Sequence, residues 1–206
     1  MLLTQENTDN VLWAVWKIEE TKNKLLSMLD NRSMHKEILL MKSEERMLER
    51  LAVRVLLKYL TGEEKRIYYH PSGRPLLKTK KLNISISHTR GYVAVALSEK
   101  QFVGIDIQYI TKKIKNIRSC FVSEAEYINP DNELLHLLLH WSAKETLYKA
   151  LKTPGVSLLR EICVKPFEPE ASGSFSAIAK PDANNPLVFD IHYFVHSDFV
   201  ITVIGK

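Results

Sequence analysis

Apolar residues recur along this chain at two periods, and the change from one to the other marks its elements. Val11 to Ile18 alternates loosely around Trp13 and Trp16 and predicts a strand. Glu19–Leu29 and Lys42–Leu60 read as helices; in the second, Leu48, Leu51, Ala52, Val55, Leu56 and Tyr59 keep helical spacing, and Gly62 supplies a C-terminal cap. Ile67–Tyr69 is a short strand and His70–Pro75 a turn. Leu82–Ser87, Tyr92–Leu97 and Phe102–Ile107 read as strands joined by His88–Gly91 and Ser98–Gln101, which predicts an antiparallel meander. Tyr109–Arg118 is a basic surface connection or short helix, and Ser123 with Glu126 has the spacing of a capping box. Asn132–Lys152 is a long helix ended by Pro154-Gly155. Leu159–Pro166, Ser174–Ala179, Leu187–Val195 and Phe199–Ile204 close the chain as strands, with His196–Asp198 a hairpin turn. Ser87–Ala96 is echoed by His196–Val203, each a polar turn, an aromatic and an alternating strand. The pattern predicts an α+β fold of duplicated antiparallel sheets with packed helices, divided into 1–99 and 100–206.

Two acids stand out against this pattern. At 100° per residue, Glu133, His136, His140 and Lys144 fall on one side of the long helix, which reads as its solvent face. Glu145 falls among Leu134, Leu138, Trp141 and Tyr148 on the other side, with Lys149 one turn on. A carboxylate there needs a cation, because burying it unpaired costs several kcal/mol or forces protonation. The plainer alternative is an exposed Glu145–Lys149 pair worth about 0.3–0.5 kcal/mol. Asp106 interrupts the strand Phe102–Ile107 and shares a face with Gly104 and Gln108. Gly104 leaves room there for a ligand or another backbone. Asp106 is either an acid on a wet strand face or, with Gln108 and Glu145, an oxygen donor to Mg²⁺, which takes one or two carboxylates plus waters and phosphates.

Composition narrows the partners. The 206 residues are 45% hydrophobic and form an ordinary core, and 29 basic against 24 acidic residues give a net charge of +5. That balance favours anionic partners. Cys120 and Cys163 have no metal-ligand or disulfide spacing, and neither a membrane span nor a signal pattern is present. Arg46, Arg50 and Arg54 share a helix face, either as solvated charges with Glu45 and Glu49 as partners or as an anion site. Arg74 in its turn and the Ser87-His88 pair offer donors to a phosphate, or are turn chemistry alone. The basic residues are too scattered for a nucleic-acid groove, and there is no glycine-rich phosphate loop.

Gly104-Ile105-Asp106-Ile107 followed by Trp141-x-x-Lys144-Glu145-x-x-x-Lys149 resembles the two signature motifs of the 4'-phosphopantetheinyl transferases, in the order and separation of the larger, monomeric Sfp-type members. Gly73-Arg74-Pro75, Ile84–Thr89 and the helix Lys42–Arg54 resemble further motifs of that family, so the likeness covers roughly residues 40–150. It implies a cytoplasmic monomer that transfers phosphopantetheine from coenzyme A to a serine of an acyl or peptidyl carrier protein and releases 3',5'-ADP. By the same resemblance Asp106, Glu145 and Lys149 are catalytic, and Mg²⁺ is held by Asp106 and Glu145, with Gln108 directly or through water. Lys144 and Lys149 lie near the phosphates. Arg46, Arg74, Ser87 and His88 bind the 3'-phosphate and adenosine end, with Arg50 as the alternative to Arg46. Lys112, Lys113 and Lys115 steer an acidic carrier protein. Gln108 stands where many relatives carry a second acid, so a catalytically weakened coenzyme A- or nucleotide-binding relative is the alternative class. A basic nucleic-acid-binding module is a third.

Overall fold

The computed structural model describes residues 1–78, 81–100, 102–151, 153, 155–182 and 184–204, with Arg32 described through its backbone alone. Lys152 and Pro154 of the expected helix end, and Gln101 of the expected seam, lie outside the described residues. The chain divides into two compact units, Met1–Gln101 and Phe102–Lys206.

In the first unit, β1 (Leu2–Thr8), β2 (Val11–Lys17), β5 (Asn83–Thr89) and β6 (Tyr92–Ser98) form an antiparallel sheet in the order β1-β2-β6-β5. β3 (Ile67–Tyr69) and β4 (Pro75–Leu77) make a separate ribbon. Helices α1 (Lys22–Ser27), α2 (Lys36–Leu39) and α3 (Glu44–Thr61) accompany them. α3 starts where Ser43 accepts the Arg46 N–H at 3.3 Å, with Glu44 and Glu45 favourably placed at the positive end of the helix dipole. It stops at Gly62, whose φ of 74° needs no Cβ-bearing residue and whose N–H reaches the Lys58 carbonyl at 2.8 Å. Its apolar stripe, including Leu51, Val55 and Leu56, packs with Trp16, Val93, Val95 and Ile84 of the sheet. The 3-10 turn Arg32–His35 and α2 escaped the periodicity because each spans four residues. Glu64 holds this segment, accepting the Asp30 and Asn31 N–H groups at 2.6 and 3.0 Å and meeting His35 Nε2.

In the second unit, β7 (Ile105–Tyr109), β8 (Ile162–Val164), β9 (Ser172–Ala179), β10 (Leu187–Val195) and β11 (Phe199–Ile204) form an antiparallel sheet in the order β7-β11-β10-β9-β8. The 3-10 segment Lys112–Cys120 and α4 (Glu133–Leu151) complete it. The two units repeat one plan: β2, α3 and the β5–β6 hairpin recur as β7, α4 and the β10–β11 hairpin, and in each the last strand pairs with the first. This is an α+β fold. The expected three-strand meander is corrected, since β7 pairs with β11 and opens the second sheet. Ser123 and Glu126 do bond, at 2.9 and 3.1 Å, but no helix follows them.

The solvent face expected for α4 is also overturned. His136, His140 and Lys144 are all fully buried, whereas Tyr148, assigned to the apolar side, is exposed. Polar side chains can be buried once they have partners, and a helical wheel does not register partners. Lys144 Nζ donates to Glu126 Oε2 at 2.8 Å, to the Leu158 carbonyl at 2.9 Å and to the Phe121 carbonyl. Glu126 also accepts the Val164 N–H at 2.8 Å, which ties α4 to β8. His136 Nδ1 accepts the Asn129 N–H at 2.9 Å, and His140 Nδ1 lies 3.0 Å from the His136 carbonyl. Both imidazoles pack on Phe167, which stacks on Phe175.

This cluster makes the fold sensitive to acid. Burial first, and then His136, holds the His140 imidazole down to about 4 from an ordinary 6.5, and burial also lowers His136. A group whose native value is depressed leaves the unfolded chain binding more protons between the two values, so its contribution falls with pH across that window. Unfolding temperature should therefore drop as pH falls from about 6.5 to about 4. His140→Phe, which keeps the ring stack and removes the proton acceptor, should flatten that dependence in a thermal melt.

Candidate active site

α4 lies on the sheet face that carries Thr202, and three buried hydroxyls fix how it lies there. Ser142 Oγ and Thr146 Oγ1 stand 2.9 and 2.7 Å from Thr202 Oγ1. Thr146 also donates to the Thr202 carbonyl at 3.2 Å, and Ser142 to the Asp106 carbonyl at 3.4 Å. Beside them the helix touches β7 backbone to backbone: a Cβ built on Gly104 would sit 2.3 Å from the Thr146 carbonyl oxygen. The space left by Gly104 is thus taken by helix backbone rather than by a ligand.

Asp106 pairs with Thr202 across the strands and shares that face, and Gln108, opposite Val200, lies two residues along it. Asp106 is 5% exposed and its Oδ1 accepts from Lys149 Nζ at 2.7 Å; the same ammonium reaches the Ile105 carbonyl at 3.3 Å. Lys149 therefore bridges α4 to β7 instead of forming the simple pair with Glu145 four residues back. Burial raises the Glu145 carboxyl above the usual carboxylate range, the Asp106 charge raises it further, and Lys149 lowers it. Hard oxygen donors of this kind suit a divalent cation; Asp106 and Glu145 would be its charged ligands, with Gln108 two residues along the strand as a neutral oxygen. Among the described residues no group of three or more His, Cys, Asp or Glu side chains gathers to hold a metal, so the remaining ligands of such an ion would be water and substrate.

Lys144, one residue before Glu145, is not part of this group. Its three internal bonds hold it inside the fold, and it cannot reach a ligand without breaking them. Its expected place near the phosphates is replaced by a structural one, because 100° of helical rotation separates it from Glu145.

The first unit holds a cavity of about 370 Å³ lined by Arg46, Glu49, Arg50, Tyr69 and His88 over Met41, Val53, Pro75 and Ile86. Arg46 and Arg50 both line it. Arg46 Nη1 lies 2.9 Å from Glu49 Oε2 and 3.0 Å from His88 Nε2, and Arg50 sits over the Tyr69 ring at 4.5 Å. Arg54 turns inward, its Nη1 at 3.3 Å from the Arg50 carbonyl. Gly73 and Pro75, on either side of Arg74, form the wall that Arg74 was expected to supply. β5 runs through Thr89, so His88 faces this cavity while Ser87, buried, faces the opposite side of the sheet. Sequence reasoning passed over Glu49 and Tyr69. Glu49 was visible only as a partner three residues from Arg46, and Tyr69 gave no signal apart from its strand.

The paired Asp106 and Lys149, on a strand and a helix with Glu145 nearby, are the candidate reactive group of this unit. Residues 102–204, half of the chain, match the 4'-phosphopantetheinyl transferase superfamily (ACPS), and the chain belongs to that family. No curated protein matches it. Membership makes it a transferase of the phosphopantetheinyl group. No described helix is long and apolar enough to cross a membrane.

The Gly104–Thr146 contact yields a direct test. Gly104→Ala forces α4 off the sheet and should lower stability by about 1–3 kcal/mol in urea unfolding. Activity should fall by more than the lost stability explains, because Glu145 moves with the helix.

Proposed function

We propose that this protein transfers the 4'-phosphopantetheine group of coenzyme A to a serine hydroxyl of an acyl or peptidyl carrier protein, with Mg²⁺, and releases 3',5'-ADP. The observation that carries the reading is the Asp106–Glu145–Lys149 group, a strand acid and a helix acid sharing one lysine within the region that matches the family. Asp106 and Glu145 would hold the cation, which offsets charge developing on the pyrophosphate. Glu145 takes the serine proton. The serine oxygen bonds to the phosphorus carrying pantetheine, the bond from that phosphorus to the bridging oxygen breaks, and 3',5'-ADP leaves with the electron pair. Lys149 faces the charge on the departing phosphate.

In this reading the cavity of the first unit serves the nucleotide end. Arg46, Arg50 and His88 meet the 3'-phosphate, and Tyr69 with the apolar floor meets the adenosine. Arg74, flanked by the cavity-lining Gly73 and Pro75, adds a cation at that end, whereas Ser87, on the other face of β5, lies away from it. The carrier protein is acidic near its serine and is met by Lys112 and Lys113. Lys115 contributes less, since it is tied to Glu133 with Arg118 nearby. An Sfp-type monomer in the cytoplasm is part of the same proposal.

Incubation with coenzyme A, Mg²⁺ and a panel of apo-carrier proteins should add one phosphopantetheine to a carrier, read by intact mass. Glu145→Gln should abolish that gain and leave coenzyme A binding largely intact. Binding without any mass gain on any carrier points instead to a weakened coenzyme A-binding relative. A second expectation concerns the cation. A carboxyl with a raised native value contributes stability below its unfolded value and loses it as pH rises through the native one. Mg²⁺ should therefore raise the unfolding temperature more at pH 8 than at pH 5, and Glu145→Gln should remove the difference.

A further inference from the structure

The cavity assigned to the anionic end of the ligand contains an acid. Glu49 is 6% exposed, sits one α3 turn from Arg46 and lines the same wall as Arg46, Arg50 and His88. Its Oε2 accepts from Arg46 Nη1 at 2.9 Å, and its Oε1 lies 3.4 Å from His88 Nδ1. Arg46 Nη1 is also 3.2 and 3.0 Å from the two ring nitrogens of His88. A buried carboxylate should repel a phosphate. The exposures decide which effect prevails. The Arg46 and His88 side chains are 54% and 42% exposed and the Glu49 side chain 8%, so an entering ligand meets Arg46 and His88 first with the acid behind them.

Resting on the reading of this cavity as the 3'-phosphate end of the coenzyme A site, we propose that Glu49 is a positioning residue for that phosphate. Its carboxylate holds Arg46 and His88 side by side before the ligand arrives. A half-exposed arginine otherwise samples many rotamers, and a fixed counter-charge behind it removes that penalty before the ligand binds. When the phosphate binds, it takes the front of an arrangement that Glu49 has already assembled. Arg50 is fixed separately, by stacking on Tyr69.

The sign of one measurement separates this from plain electrostatics. Glu49→Gln keeps the shape and removes the charge; if repulsion dominated, the variant would bind phosphate more tightly. Positioning requires the reverse. Calorimetry with the purified protein should show 3',5'-ADP binding about tenfold weaker in Glu49→Gln, with 5'-AMP, which lacks the 3'-phosphate, changed less than about twofold. In turnover, KM for coenzyme A should rise by a similar factor at unchanged kcat, with KM for 3'-dephospho-coenzyme A unmoved. Unchanged or tighter 3',5'-ADP binding overturns the proposal, and so does equal weakening of 5'-AMP, which marks general damage to the cavity. If Glu49→Gln does not fold, Glu49→Asp must show the same selective loss. A wild-type protein that binds neither nucleotide overturns the function proposed above together with this role, whereas wild-type binding with an indifferent variant overturns the Glu49 role alone.

Discussion

The docking of α4 onto β7 and β11 is the constraint from which the rest of the second unit follows. Glycine at position 104 lets the helix carbonyl of Thr146 come within reach of strand backbone, and the Ser142, Thr146 and Thr202 hydroxyls set the register at that approach. A helix held farther off would leave the Thr202 hydroxyl buried without its partners, an arrangement that costs about 1–3 kcal/mol per group. Because Glu145 lies between Ser142 and Thr146 in sequence, the same contacts that seat the helix bring its carboxylate to Asp106. Lys149, one turn on, spans back to the strand.

Charges along this one helix have two different fates. Lys144 is buried, but Glu126 and two carbonyls surround its ammonium, and Glu126 itself is fully engaged. That pair is complete and has no capacity left for a ligand. The Asp106, Glu145 and Lys149 group differs: burial and the Asp106 charge raise the Glu145 carboxyl against the opposing pull of Lys149, and such a perturbed acid beside a charge partner is a candidate for chemistry. Perturbation alone does not mark function, as His140 shows. It is shifted strongly by burial in an aromatic cluster that belongs to the core.

The first unit handles the same problem by other means. Its arginines recur every four residues on α3, yet they end in three environments: Arg46 against Glu49 and His88, Arg50 on Tyr69, and Arg54 folded inward. The helix supplies the spacing, while the ribbon β3–β4 and strand β5 decide what each arginine meets.

The sequence by itself determined the large periodic elements, because hydrophobic spacing is local. α3, with its Gly62 cap, and the closing strands Leu187–Val195 and Phe199–Ile204 were all readable from it. The signature residues Asp106, Glu145 and Lys149 were readable as well, since an acid among apolar neighbours violates the local pattern. Short elements such as α2 and β4 gave too few residues for a period to show. The tertiary structure alone decided that β7 opens a second sheet, because strand pairing joins residues almost a hundred positions apart. It alone turned His136, His140 and Lys144 inward, because a polar residue's position depends on distant partners such as Glu126 and Phe167. It also placed Glu49 behind Arg46 and His88, a contact across 39 residues whose charges carry no record in the sequence of which will meet.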